Sequence, residues 1–457
     1  MIPVAKIRLA LARAVVASRL GNRSVSSTAV VGILVQVGRP LVSLFTLPLL
    51  LGYLGQDGLG VWMIALSLMG AVSVLSAGLS ASVVTMIGRS GGGDSVDSVN
   101  RTATASTLIA ICWGAIILAI FVPSTFLLDW KELLQLTDEV GGSEVRNLIL
   151  TLVILLGVSL ISVVPRQIMV GRMHGYLAFM ADFVGVVVGA VALIIMIFLH
   201  APLWVLGLAF IAPSYLILFA GGLFYLRREG FTLLSFRKFD RDTFLMVARD
   251  SLRMAGYQSA YVVSSQSDMI LIGVFLGAPA SAAYGVAQRV FSLPILVSAT
   301  VNYAQWPALA RADAVGDHAA LARVFRLTLL IGSGLAILAA LAAALAYEHL
   351  LSLWLGNFLE TDPAILIGMV VWVGVATMVG TCDSVLRARN ETTLLMRAMM
   401  AMAVINISVT LLLLPRIGPA GAIWGSVTGF TLALLLPYGL RLRTILSTPK
   451  HGASSAG

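Results

Sequence analysis

Four charged side chains stand inside stretches of this chain that are otherwise almost wholly apolar: Arg39, Asp182, Asp268 and Arg289. A charge in hydrocarbon is costly, and where a membrane span keeps one it marks a site by default. Arg39 lies roughly 16 Å into the first apolar run, at about 1.5 Å per helical residue. Asp182 falls in the first third of the fifth run, Asp268 well inside the seventh, and Arg289 several residues into the eighth. Asp383, near the end of the tenth, is a weaker case. A guanidinium cannot release its proton, so each buried Arg needs a wet cavity, an acidic partner or an anionic ligand. An Asp in the same setting is a candidate for ion coupling, to protons or sodium, or for the charge partner of an Arg. Arg39 and Arg289 are therefore the candidate anion-binding residues, and Asp268 and Asp182 the candidate coupling residues or charge partners.

Their neighbours sharpen this reading. Gln36, Arg39 and Ser43 share one helical face at i, i+3, i+7, and Gln258, Tyr261, Ser265 and Asp268 do the same on the seventh run, with Gln266 beside them. Tyr284, Gln288, Ser292, Ser298, Asn302 and Gln305 form a looser stripe along the eighth. Helices would not turn such faces to lipid, so they should line a common cavity. The competing reading is ordinary interhelical hydrogen bonding, with Arg39 or Arg289 locked to Asp268 as a static ion pair.

The usual enzyme constellations are absent from the sequence. It contains no G-x-x-x-x-G-K-[ST] phosphate loop and no H-E-x-x-H pair, and its five histidines are scattered. Gly91-Gly92-Gly93-Asp94 reads as a turn, with no strand before it. No polar domain remains that could house a transferase, so no enzymatic activity and no cofactor is expected, beyond a coupling proton or sodium ion.

The elements that must position these residues are membrane spans. Hydrophobic residues make up 59% of the 457 and charged residues 11%, against roughly 25% charged in soluble domains. At about 20 residues per span, the apolar runs lie near 28–52, 60–87, 103–127, 147–165, 176–199, 203–225, 255–277, 281–307, 325–346, 364–386, 394–414 and 419–440. The fold expected is an all-α polytopic membrane protein of about twelve transmembrane helices in two pseudo-symmetric six-helix bundles. Basic residues mark every second loop, from Lys6, Arg8, Arg13, Arg19 and Arg23 to Arg441, Arg443 and Lys450, which places both termini in the cytoplasm. The formal charge of +9 is then a topology and membrane-surface signal, and no nucleic-acid motif accompanies it.

The two halves repeat each other about 222 residues apart. Leu54-Gly55 is followed seven residues later by Trp62, and Leu276-Gly277 seven residues later by Tyr284; Arg89 and Arg101 map onto Arg311 and Arg323. After the third run of each half the offset slips, laying residues 132–136 over 349–353. A long fixed period means a duplicated unit, and six spans per half make the repeat parallel, as in many transporters. The organisation read from this is a basic cytoplasmic arm (1–24), an N-terminal lobe (25–226), a cytoplasmic linker (227–253), a C-terminal lobe (254–446) and a small polar tail (447–457) that reads as disordered. The arm resembles a transit peptide in composition, but reads as an amphipathic segment on the inner leaflet. Cys112 and Cys382 fall in non-equivalent spans, so neither a disulfide framework nor a zinc site is expected. Gly185/Gly189, Gly421/Gly425 and Gly332-Ser333-Gly334 read as close helix contacts, the alternative being a set of bending points for alternating access.

Two stretches carry a family resemblance: Ser265-Gln-Ser-Asp268-Met-Ile-Leu-Ile-Gly-Val-Phe-Leu-Gly277 and Tyr284-Gly-Val-Ala-Gln-Arg289. With the Pro-rich first span ending at Leu54-Gly55, Ala310-Arg-Ala-Asp313 after Pro307, and Leu353-Trp-Leu-Gly356, the chain resembles the polysaccharide (lipid-linked oligosaccharide) flippase family. That family belongs to the multidrug/oligosaccharidyl-lipid/polysaccharide exporter superfamily. The resemblance implies two six-helix lobes around a central cavity working by alternating access in a bacterial inner membrane. It also implies an undecaprenyl-pyrophosphate-linked oligosaccharide as substrate, for O-antigen, capsule or exopolysaccharide synthesis, with a polymerase and glycosyltransferases as partners beside membrane lipids. Arg39 and Arg289 are the positions that could meet the pyrophosphate, an anion best held by charge-assisted Arg contacts. Two other readings compete. A cation-coupled multidrug exporter of the same superfamily would want an acid in the leading span, which here holds Arg39. A non-transporting scaffold for glycan assembly would depend on the linker and not on the buried charges. The duplication itself does not reproduce those charges: at the same offset Asp268 faces Thr46 and Arg289 faces Ser67, and at the shorter one Asp182 faces Met400.

Overall fold

The computed structural model describes residues 35, 38, 41–89, 96–136, 141–172, 174–315, 317–356, 361–389 and 391–447. Apolar runs this long must satisfy every backbone polar group within themselves, and the described residues do so as helices. In chain order they are α1 (Leu41–Val72), α2 (Val74–Arg89), α3 (Val96–Leu127), α4 (Trp130–Leu133), α5 (Gly142–Gly171), α6 (Gly175–Phe198), α7 (Leu203–Arg228) and α8 (Arg241–Leu276). The second half continues with α9 (Ala278–Val315), α10 (His318–Thr328), α11 (Gly334–Leu345), α12 (Tyr347–Trp354), α13 (Pro363–Ala388), α14 (Thr392–Ile417), α15 (Ala420–Gly429) and α16 (Leu436–Ser447). Among the described residues, ten helices are long and apolar enough to cross a membrane, and two shorter apolar ones are Ser76–Ile87 and Ser264–Leu276. Most of the expected first run before residue 41 lies outside the described residues, and the chain is an all-α, multi-pass membrane protein.

Gly332 and Ser333 fall in a π-helical turn, Leu329–Ser333, between α10 and α11, and a second π-helical turn, Phe430–Leu435, joins α15 to α16.

The duplication is written into the backbone. Gly55, inside α1, and Gly277, between α8 and α9, both have positive φ, at 68° and 86°. Leu-Gly recurs there because a Cβ resists the left-handed region. Two further pairs keep a positive φ without keeping the glycine: Gln135 (49°) answers Gly356 (68°), and His200 (52°) answers Gly418 (63°). The first of these pairs corrects the sequence register. Leu134-Gln135 corresponds to Leu355-Gly356, so the slip of the repeat falls later than residues 132–136.

By contact the chain divides into two compact units that cut across the halves. One comprises Met1–Leu47, Ser73–Leu128 and Arg146–Gly256; the other Pro48–Val72, Asp129–Val145 and Tyr257–Gly457.

In the first unit, α6 packs on α7 through small residues. Asp182, Gly185, Gly189 and Leu193 form the buried face of α6. A Cβ on Gly189 would stand 2.2 Å from the Phe210 carbonyl oxygen, and one on Gly185 2.5 Å from Ser214 Cα. Val184, Val188, Val191 and Ile195 form the opposite, exposed face, as a lipid-facing stripe should.

The linker is held to α3 by a row of polar side chains at helical spacing. The Asn100 carbonyl accepts from Thr232 N (2.8 Å), Thr104 Oγ1 from Ser235 N (3.1 Å), Thr107 Oγ1 donates to Leu233 O (3.1 Å), and Asp97 pairs with Lys238 (2.6 Å). Expected as loop over 227–253, the linker is helical from Arg241 onward. Val247, Ser251 and Ala255 recur every four residues on its buried face, where Ser82 donates to Val247 O (3.5 Å) and Gly78 admits the Ser251 carbonyl.

The second unit repeats the small-residue device between α14 and α15. A Cβ on Gly425 would stand 2.1 Å from Thr410 Oγ1, and one on Gly421 2.6 Å from Leu414 N. Segment 48–72 packs here against α8 and α9: Gly60 lies under the Ala278 carbonyl, where a Cβ would come within 1.8 Å, and Gly70 lies against Gln266. Gln135, held left-handed, donates to Val274 O (3.2 Å) and Phe275 O (3.3 Å) at the end of α8. These are carbonyls that a helix terminus leaves without intrahelical partners. Cys382 is buried and Cys112 exposed, and both are free thiols.

Candidate functional site

Asp268 sits on α8 in the second unit with only 2% of its surface exposed. Its Oδ2 accepts from two hydroxyls, Ser426 Oγ at 2.7 Å from α15 and Tyr284 at 3.3 Å from α9. Ser426 Oγ in turn accepts from Asn406 Nδ2 at 2.6 Å, so α14, α15, α8 and α9 meet in one hydrogen-bonded relay. Three oxygens of this neighbourhood are buried without a hydrogen-bond partner among the described residues: Asp268 Oδ1, Asn406 Oδ1 and Thr410 Oγ1. Leaving such atoms bare costs free energy. A cavity of about 30 Å³ lies beside the acid, lined by Asp268, Tyr284, Gln288, Ser426, Trp372 and Phe430 among others. That is the space of one water or one small cation.

Arg289, several residues along α9, directs Nη2 to Met63 Sδ at 3.5 Å. The ion pair weighed from sequence is not formed: the contacts of Asp268 are with Ser426 and Tyr284, and it takes no arginine among the described residues. The two intramembrane charges of this unit are thus not paired with each other.

Asp182 belongs to the first unit. It is buried on α6 and faces Arg166 of α5 at 3.6 Å. The Arg166 guanidinium also lies over the Phe179 ring at 5.5 Å. Its geometry is that of a charge partner.

Of the residues expected to line a cavity, Gln288 borders the small cavity beside Asp268. Gln266 packs on Gly70, and Asn302 Oδ1 accepts from Thr381 Oγ1 at 3.1 Å, tying α9 to α13. Gln305 is half-buried on α9. Arg39 and Gln36 lie outside the described residues, and Gln258 and Tyr261 fall on α8 with side chains outside them. Asp383 forms an i, i+4 pair with Arg387 Nε at 2.5 Å.

Sequence reasoning missed Ser426, Asn406 and Thr410. Asn406 and Thr410 are one turn apart on a span that otherwise reads as apolar, and Ser426 follows Gly425, the glycine that lets α15 approach Thr410. An Asn buried in a span, four residues from a Thr and facing a small-residue helix, was the available signal.

Comparison with known proteins places this geometry in a family. A model of the family described as polysaccharide biosynthesis protein matches residues 25–313. The matched stretch contains both Ser265–Gly277 and Tyr284–Arg289. No curated protein matches the chain. Among solved structures, it is similar to an inward-facing multidrug resistance MATE family transporter of the MOP superfamily, with a TM-score of 0.70 at 16% identity over 91% of this chain and 99% of that one. It is also similar to the lipid II flippase MurJ in an inward closed conformation, with a TM-score of 0.71 at 12% identity over 90% of this chain and 87% of that one. A MOP superfamily transporter from Pyrococcus furiosus, reported to have a binding pocket of reversed polarity, gives a TM-score of 0.59 at 15% identity over 94% and 97%. At these identities the likeness is one of fold. The chain is a multi-pass membrane protein with the fold of the MOP superfamily, and it belongs to the polysaccharide biosynthesis protein family.

Proposed function

We propose that this protein is a flippase that carries an undecaprenyl-pyrophosphate-linked oligosaccharide from the inner to the outer leaflet of a bacterial cytoplasmic membrane, by alternating access, for polysaccharide synthesis. The observation that supports it best is a guanidinium, Arg289, held inside a span of a chain of this family. An intramembrane guanidinium suits a substrate that carries negative charge, and a pyrophosphate brings it in a form that Arg meets with charge-assisted hydrogen bonds. Arg39 would serve the same anion from the first span.

Asp268 also suits a second part. With its Oδ1 bare and a space for one small ion beside it, it is suited to a coupling proton or sodium. Asp268 Oδ1 is the oxygen that would hold a sodium ion, a hard cation that prefers oxygen ligands. Driving flipping is the chemistry this ion would supply. Glycosyltransferases on the cytoplasmic side and a polymerase beyond the membrane are the partners this function requires.

The test is export in cells that lack the chromosomal copy. Arg289→Ala should abolish surface polysaccharide while protein level and membrane insertion stay as in the wild type, with Arg289→Lys partly active. Full export by Arg289→Ala and by Arg39→Ala would remove the pyrophosphate assignment. Restored drug resistance without restored polysaccharide would favour the multidrug exporter instead.

A further inference from the structure

The small cavity beside Asp268 has a larger neighbour in the same unit. A cavity of about 680 Å³ adjoins it, lined from α8, α9, α13, α14 and the π-helical turn Phe430–Leu435. Three helices pass from one space to the other within a turn. Val262 borders the large cavity and Ser264 the small one on α8, Ser292 and Gln288 do so on α9, and Met399 and Met402 on α14. At 1.5 Å per residue, the two spaces are stacked about 3–6 Å apart along these helices. Two side chains line both of them, Trp372 of α13 and Phe430. The partition between the cavities is therefore a pair of aromatic rings.

The large cavity leads toward the cytoplasm. Its far end holds Asp383, ion-paired with Arg387 at 2.5 Å near the end of α13, on the side of the basic loops. From Trp372 to Asp383 that helix advances about 16 Å, half of a hydrocarbon core about 30 Å thick. Asp383 Oδ1 and Asp268 Oδ1 are both buried, and neither has a hydrogen-bond partner among the described residues. Carboxylates inside spans mark ion pathways. A cation passing between these two meets a carboxylate oxygen at each end and one barrier, the rings of Trp372 and Phe430.

That barrier is placed where the backbone changes character. Before Phe430 the helix is pinned to α14: Gly425 lies against Thr410, and a Cβ on Gly429 would stand 3.0 Å from the Met402 carbonyl oxygen. Ser426, which donates to Asp268, belongs to this pinned stretch. At Phe430 the helix passes into the π turn that runs to Leu435. Such turns have their own i to i+5 bonding and occur mostly at functional sites. Leu434, in the same turn, lines the large cavity. A shift in the register of the turn carries Phe430 around the helix axis and leaves Ser426 on Asp268.

We propose that Trp372 and Phe430 form a gate between Asp268 and the cytoplasm. Closed, the rings seal off a space for one water or one small cation beside the acid. Open, they join that space to the large cavity, through which the coupling cation exchanges with the cytoplasm. The gate rests on the coupling role of Asp268 and adds to it the side of the membrane with which the acid equilibrates and the residues that control the exchange.

Two thiol probes in the full-length protein read the partition: Ser264→Cys, at a residue 2% exposed beside the small cavity, and Ser292→Cys in the large one. Inside-out membrane vesicles are treated with 2-aminoethyl methanethiosulfonate, a small cationic thiol reagent, and mass spectrometry separates modification of the probes from that of Cys112 and Cys382. Ser292→Cys should react at least tenfold faster than Ser264→Cys. Adding Phe430→Ala should speed Ser264→Cys at least tenfold and leave Ser292→Cys within twofold, which also shows that the lobe is intact. Should that variant melt early, Trp372→Ala reads the same partition from α13. In proteoliposomes, Phe430→Ala should flip lipid-linked glycan with at least fourfold less response than wild type to an imposed proton or sodium gradient. Equal rates at the two probes with both rings in place, slow reaction at both because a lipid chain fills the large cavity, or a wild-type gradient response in Phe430→Ala overturns the gate. A Ser264→Cys rate unmoved by either ring substitution, beside flipping that follows a gradient, sinks the gate alone. A gated probe in a protein that flips nothing sinks the flippase reading alone, and one in a protein whose flipping ignores both gradients sinks the coupling role of Asp268 and the gate's purpose with it.

Discussion

Ser426→Ala removes one oxygen, and the structure says what that oxygen does. It donates to Asp268 Oδ2 at 2.7 Å and accepts from Asn406 Nδ2 at 2.6 Å. Its loss leaves Asp268 with only the longer Tyr284 contact and leaves the Asn406 amide bare inside a span. Neutral interhelical hydrogen bonds in membranes average about 0.6 kcal/mol in double-mutant cycles, whereas bonds to charged groups contribute about 1.5–3 kcal/mol. Two donors converge on Oδ2, and with Asp268 ionised both bonds are charge-assisted, so the larger range applies to that state. Ser426→Ala should therefore destabilise the protein by about 2–4 kcal/mol, the upper part coming from the orphaned amide. The assay is reversible unfolding in detergent for the wild type, Ser426→Ala, Asp268→Asn and the double variant. A coupling energy of about 1.5 kcal/mol or more is expected. A coupling near or below 0.6 kcal/mol, the neutral average, would show that Ser426 faces no carboxylate and would refute the relay as a charged site.

Three other perturbations test the packing and the backbone. Gly189→Leu and Gly425→Leu should sharply lower the yield of folded protein, because the first added carbon already overlaps Phe210 O and Thr410 Oγ1, while Gly439→Ala, with nothing within 4 Å, should be neutral or mildly stabilising by thermal melting. Gln135→Ala keeps a left-handed backbone at φ 49° and loses two bonds to α8, for a cost of about 1–3 kcal/mol in the same unfolding assay. Gln135→Gly loses the bonds but relieves roughly 1–2 kcal/mol of strain and should be nearly neutral. In the linker, Lys238→Ala breaks only a surface ion pair and should cost less than about 1 kcal/mol. Asn100→Leu orphans Thr232 N and should open residues 229–240 to limited proteolysis severalfold faster.

Much of the fold was legible because its cause is local. A run of about 20 apolar residues has few options but a membrane helix, and the repeated Leu-Gly marked the duplication, which the backbone carries as positive φ at Gly55 and Gly277. The helix beginning at Arg241 was not legible. Its buried face is one Val, one Ser and one Ala, small residues whose burial depends on Gly78 and Ser82 far away in the chain.

The site divides in the same way. Asp268, Tyr284 and Gln288 were found because charge and polarity on a helical stripe are visible without knowing the neighbours. Their partners were not, because sequence does not say which spans touch. Asp268 was weighed against Arg289, which shares its sequence neighbourhood, yet its partner is Ser426, 158 residues on. Glycines at one-turn spacing carried the missing information: Gly421 and Gly425 bring α15 close enough for that bond.

The most direct measurement is flipping by the purified protein in lipid vesicles. A fluorescent undecaprenyl-pyrophosphate oligosaccharide is incorporated in both leaflets, and the fraction accessible to an added quencher or glycosidase is followed with time. The account predicts that wild-type protein exposes nearly all of the lipid-linked glycan, that Arg289→Ala leaves only the outer half accessible, and that Asp268→Asn slows the exchange when an ion gradient is present. Equal exposure in protein-free vesicles and with wild type, or full activity in Arg289→Ala, would contradict it.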